Sequence, residues 1–148
     1  MGQQQLLLLV LGIVIVGLAV VVGIQAFGEN QKKANSDAIT NDVIRIASDA
    51  QAWNLKPTAF GGGNGSFEGV TLTSLGYTLG QNDAATGAYG NLNGSYGLTV
   101  TGTGDAATVT IIGCNSETKN TVQAVVDGTG PSDITTTVTN SDTCANEA

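Results

Sequence analysis

The sequence predicts an α+β chain: one long amino-terminal α-helix packed on a small antiparallel β-sheet domain closed by one disulfide. Three observations predict it. From Leu6 to Ile24 no side chain is charged or polar. An apolar stripe at helical spacing then continues to Trp53. Beyond Pro57 the chain turns to Gly, Thr, Asn and Ser, interrupted by short segments rich in Val, Ile and Thr, and its only two cysteines lie there.

The run Leu6 to Phe27, LLLLVLGIVIVGLAVVVGIQAF, is long enough to cross a bilayer core of about 30 Å at 1.5 Å rise per residue. It opens on MGQQQ rather than a basic stretch, and no A-x-A pattern follows it, so it does not read as a cleaved secretory signal. The next segment is amphipathic. Ala34, Ile39, Val43, Ile46, Ala50 and Trp53 fall near a 3.6-residue period, while Lys32, Lys33, Asp37, Asp42, Arg45 and Asp49 take other positions. Nothing between the two segments breaks a helix. Gly28 costs about 1 kcal/mol relative to Ala, and the first proline is Pro57, which disfavours helix at Lys56. A helix from about Gln3 to about Leu55, roughly 80 Å long, is expected. Its organisation is a hydrophobic front half (1–28), an amphipathic rear half (29–56) and a Gly/Thr-rich β domain (57–148).

Such a helix divides its tasks. The rear stripe can pack under a domain, whereas the front half, apolar all round, needs lipid or other apolar helices about it. The expected packing residues are Leu6, Leu7, Leu8, Leu9, Val10, Leu11, Ile13, Val14, Ile15, Val16, Leu18, Val20, Val21, Val22, Ile24 and Phe27. Gly12, Gly17 and Gly23 permit close helix approach, although their spacing is not strict GxxxG.

After Pro57, GGGNGS at Gly61 to Ser66 reads as a flexible loop or linker. Strands are expected at Gly69 to Thr73, Tyr96 to Thr101, Ala107 to Ile112, Thr121 to Val126 and Ile134 to Thr139, all rich in β-formers and separated by Gly, Asn, Asp or Pro. YGLTVTGTGDAATVTII is the clearest hairpin, turning at Gly102 to Asp105, and Gly80 to Gly94 reads as a surface loop. One sheet face covers the helix stripe; the other presents Thr and Asn to water.

The chemistry is sparse. A net charge of −7 with five Lys plus Arg argues against nucleic-acid binding and against anionic membranes as a charge partner. The absence of His removes the commonest general base and metal ligand, so no enzyme activity, cofactor or metal is expected. Asp127, Thr129 and Asp133 in VVDGTGPSD supply too few carboxylates for calcium and read as a turn. No nucleophile elbow or phosphate-binding glycine motif occurs. Asn64-Gly-Ser66 and Asn93-Gly-Ser95 fit the N-x-[ST] glycan acceptor pattern, with chance turns as the alternative. Cys114 and Cys144 are expected to pair, closing a loop of about 30 residues that stabilises by roughly 3 to 4 kcal/mol; two free thiols are the alternative.

With its apolar start, amphipathic continuation to Trp53 and Gly- and Thr-rich β domain with a late Cys pair, the chain resembles a type IV pilin or pilin-like protein. The resemblance is architectural and covers the chain in outline. It implies a filament of identical subunits whose front helix halves form the core, an extracellular location, a cytoplasmic-membrane stage before assembly, partnership with pilus assembly machinery, and adhesion or motility as the task. The Gln-rich start resembles archaeal pilin-like signals. Two features depart from the family. The glutamate near the mature amino terminus is matched by Gln5, or by Leu7 if cleavage follows Gly2, leaving amides at Gln3, Gln4 and Gln5 in place of a carboxylate. Lys32 and Lys33 follow the apolar run with no Lys or Arg before it, so a bare positive-inside count puts the β domain in the cytoplasm. A basic leader removed before display reconciles that count with the cysteine pair. A membrane-anchored monomeric binding module and a minor pseudopilin of a secretion or DNA-uptake system are the alternative readings.

Overall fold

A computed structural model describes residues 2–78 and 88–140, with no description of the Asn140 side chain. One helix, α1 (Gly2–Leu55), is followed by β1 (Tyr89–Gly90), β2 (Ser95–Thr101), β3 (Thr108–Asn115), β4 (Asn120–Val126) and β5 (Ile134–Asn140). The strands form one antiparallel sheet in the order β1-β2-β3-β4-β5, each paired with its sequence neighbour. The chain divides into two compact units, one ending at Ala34 and the other beginning at Asn35.

Within the second unit the rear of α1 lies against the sheet. Ile39, Val43, Ile46, Ala47, Ala50 and Asn54 are its buried residues, at offsets of 4, 3, 1, 3 and 4 that keep them on one helix face. This is the expected stripe with two corrections. Ala34 is exposed, since it precedes the unit that has a core, and Trp53 is half-buried, while Ala47 and Asn54 complete the stripe instead.

Alternation along β3 and β4 turns Val109, Ile111, Val122, Ala124 and Val126 to the helix, with Tyr96 of β2 beside them. The register couples these rows: Ile111 pairs with Leu98 and Ala124, and Val109 with Val100 and Val126. Gly113 is where the helix comes closest. A Cβ there would stand 2.7 Å from Val43 Cγ2, 2.8 Å from Ile39 Cγ2 and 2.9 Å from Tyr96 Cδ1. Gly113→Ala is therefore expected to lower stability by about 1 to 3 kcal/mol through overpacking, read as a drop in urea midpoint of the detergent-solubilised chain. Toward β5 the core thins: Thr136 is exposed and Val138 is 54% exposed.

Four of the five expected strands form, as β2 to β5. The fifth, Gly69 to Thr73, does not. There Thr71 and Ser74 satisfy the backbone locally: Thr71 N–H donates to Ser74 Oγ at 3.0 Å, Ser74 N–H to Thr71 Oγ1 at 3.1 Å, and Ser74 Oγ–H to the Thr71 carbonyl at 2.8 Å. Val70 and Leu72 are still buried in the core, as turn residues rather than strand residues. In place of that strand, Tyr89–Gly90, within the expected Gly80 to Gly94 loop, pairs with Ser95 and Tyr96.

The Gly61 to Ser66 segment is a loop, as expected, but not a free linker. It folds back over the carboxy-terminal end of α1: Gly63 N–H donates to the Trp53 carbonyl at 3.0 Å, Asn64 N–H to Lys56 at 3.0 Å and Gly65 N–H to Asn54 at 2.8 Å. These bonds satisfy carbonyls that a helix end leaves without partners.

Candidate functional site

The first unit has no core of its own among the described residues. All sixteen large apolar residues expected to pack, from Leu6 to Phe27, are between 50% and 69% exposed. The segment is long and apolar enough to cross a membrane, by length and composition. An apolar rod of this kind is stable only when lipid or protein covers it.

The second unit carries a built polar feature that sequence reasoning missed. Asp42, on the half-buried margin of α1, accepts three side-chain bonds at Oδ2: from Asn91 Nδ2 at 2.9 Å, Asn93 Nδ2 at 2.9 Å and Tyr96 OH at 2.6 Å. Seven residues further along the same helix face, Asp49 accepts the Tyr77 hydroxyl at 2.5 Å. Tyr77, Tyr89 and Tyr96 join the two sites by ring contact, with centroids 5.1 Å apart for the first pair and 5.8 Å for the second. The seven-residue spacing of Asp42 and Asp49 was visible in the sequence, but their tyrosine partners lie far along the chain.

A second amide network sits beside Asp42. Asn35 Nδ2 donates to the Asn93 carbonyl at 2.9 Å, which also accepts from Asn115 Nδ2 at 2.8 Å, and Asn35 Oδ1 accepts from Thr118 Oγ1 at 2.6 Å. Together these bonds tie the β1–β2 and β3–β4 turns to the start of the helix segment that packs on the sheet.

Burial opposes ionisation of Asp42 more than any other single influence. The hydrogen bonds from Asn93, Tyr96 and Asn91 and the nearby Arg45 charge together outweigh it, holding the carboxyl below its ordinary 3.8. Burial, and then the bond to the carboxylate, push the Tyr96 and Tyr77 hydroxyls well above the ordinary phenol value, so both stay protonated donors. The sign for Asp42 follows. Its folded pKa is depressed, so its contribution is complete well above pH 3.8 and is lost as pH falls through the lower folded value. Asp42→Ala is expected to lower stability by about 2 to 3 kcal/mol at pH 7. The gap from wild type should narrow below pH 3.8, as read from urea midpoints across an acid series.

The two glycan acceptor patterns sit in different surroundings. Asn64 is exposed, in a left-handed turn at φ 50°. Asn93 is half-buried with its amide engaged by Asp42. Asp127 and Asp133 close a turn rather than a cage: Asp133 Oδ2 accepts from Gly130 N–H at 2.8 Å, and Gln51 Nε2 donates to the Gly128 and Gly130 carbonyls at 2.8 Å and 3.0 Å. Among the described residues no group of His, Cys, Asp or Glu is arranged to hold a metal.

Cys114, next to last in β3, lies on the sheet face opposite the helix at 1% exposure, and no free cysteine occurs among the described residues. Cys144, its expected partner, lies outside the described residues. No family model, curated protein or solved structure matches the chain.

Proposed function

We propose that the chain is a structural subunit of an extracellular type IV pilus-like filament. One observation carries the reading: an apolar helical segment, exposed from Leu6 to Phe27, continues in the same helix into a stretch whose stripe from Ile39 to Asn54 is buried in the sheet unit. That segment is held in the membrane before assembly and then covered by copies of itself, exchanging lipid contact for helix contact. Pilus assembly machinery drives the exchange, and the displayed sheet domains serve adhesion or motility. The role is mechanical and calls for no catalytic residue, cofactor, metal or nucleic acid.

The cysteine pair belongs to the same proposal. Cys114 and Cys144 bond in an oxidising compartment and staple the carboxy-terminal segment to β3.

The test is electron microscopy of material sheared from cells producing the chain, with mass spectrometry of the sheared band. The proposal expects long filaments composed of this chain. Protein retained wholly in membranes, soluble in detergent as a monomer, would support the anchored module instead.

A further inference from the structure

The β1–β2 turn, Asn91-Leu92-Asn93-Gly94, is held more tightly than a hairpin requires. Asn91 N–H donates to the Gly94 carbonyl at 2.9 Å, and Asn91 Oδ1 accepts from the N–H groups of Asn93 and Gly94 at 2.8 Å and 3.1 Å. Outside the turn, Asp42 takes both asparagine amides, and Asn35 and Asn115 both donate to the Asn93 carbonyl. Gly94 is closed in as well, for a Cβ there would run into the Cys114 carbonyl.

Local bonding accounts for three of the four residues: Asn91 through side chain to backbone bonds within the turn, Asn93 through its amide bond to Asp42, and Gly94 through close backbone approach. It gives no reason for a leucine. Leu92 is 103% exposed, on a turn anchored from several sides. An isolated exposed leucine is ordinary on a protein surface. A rigidly presented one is a different object, because the cost of ordering the loop has already been met within the fold, as in a preorganised binding loop.

The surroundings select its partner. No residue from Ala88 to Gly104 is charged, in a chain carrying seventeen Asp, Glu, Lys and Arg, and the carboxylate that does reach the turn, Asp42, has its Oδ2 taken up by Asn91, Asn93 and Tyr96, so the turn's own residues offer a partner apolar and amide contacts rather than ion pairs. Asn35, the first residue of the sheet unit, is bonded to this turn, so Leu92 stands at the end of that unit where α1 enters it. Among the described residues the extensive uncovered apolar surface is the Leu6 to Phe27 segment, which needs cover from other copies. We infer that Leu92 is an intersubunit knob that seats against the apolar front helix of a second copy of this chain. The inference rests on the filament reading and adds to it a specific contact between a sheet domain and a neighbour's core helix.

The test incorporates a photo-reactive benzophenone amino acid at position 92 of the full chain, irradiates sheared filaments and maps the adduct by mass spectrometry. A cross-link to residues 6–27 of another copy is expected. Leu92→Asp should cut filament yield by about tenfold or more, the effect of losing an interface hot spot. Leu92→Met should assemble normally. Because Leu92 is fully exposed, the melting temperature of the detergent-solubilised Leu92→Asp chain should match wild type. Filaments at wild-type yield from Leu92→Asp would overturn the inference, as would adducts confined to lipid, to another protein or to other parts of this chain, while leaving the filament reading intact. If the wild-type chain yields no filaments, the filament reading fails and this contact fails with it.

Discussion

If the chain forms filaments as proposed, Val14→Asp is expected to abolish shearable filaments while the protein still inserts in the membrane and its sheet domain stays folded. Val14 is 52% exposed in the middle of the apolar run, so the change costs the isolated chain no core contact. Insertion survives on magnitude. Leu, Ile and Val each contribute roughly 0.3 to 0.6 kcal/mol at the helix centre, against about 2.5 to 3.5 kcal/mol for one Asp. The fourteen such residues remaining between Leu6 and Ile24 together favour insertion by roughly 4 to 8 kcal/mol on that scale. A polymer core is less forgiving. There the carboxylate meets apolar helices on every side and has neither water nor a cation to pair with, and the penalty recurs in each subunit. The measurement compares the membrane and sheared fractions by immunoblot. Wild-type filament yield from Val14→Asp would show that this segment does not line a packed core.

The second large effect concerns the cysteines. Cys144→Ala is expected to lower stability by about 3 to 4 kcal/mol, the chain-entropy value for a loop of about 30 residues. For a domain of about 100 residues this is a fall of roughly 10 to 20 °C in melting temperature. Reductant should shift wild type by a similar amount and leave the variant unchanged. Position 144 is the informative one to alter, because Cys114 is buried and its replacement would add a packing defect. Two titratable thiols in the purified, unreduced chain would contradict the pairing.

The helix was legible because its determinants are local: an uninterrupted apolar run, a stripe at helical spacing and no proline before Pro57. Strands β2 to β5 were legible for the same reason, each having enough Val, Ile and Thr between turn residues to declare itself. Composition misled at Gly69 to Thr73, where Thr71 and Ser74 spend their hydroxyls on a local turn. It misled again at Gly61 to Ser66, where glycines that suggest a linker instead bring N–H groups close to the carbonyls of Trp53, Asn54 and Lys56. Strand β1 is two residues long and exists through its partner, a fact no local pattern encodes. The Asp42 cluster is tertiary in the same way. Its donors lie 49 to 54 residues away, so the sequence offered an acidic residue on a helix with nothing to indicate what it would hold.

The cysteine pairing and the filament core share a physical theme. A small sheet packed on a single helix stripe gains modest stability from burial, and the proposed disulfide would add what a larger core would otherwise supply. On the filament proposal the front helix does the opposite, gaining its protein partners only on assembly.

A helical reconstruction of sheared filaments by electron cryomicroscopy tests the central claim most directly. The account predicts that the Leu6 to Phe27 segments of successive copies lie together along the filament axis, with the sheet domains outside. Density at the axis that belongs to another protein, or filaments in which this segment stays exposed at the surface, would contradict it.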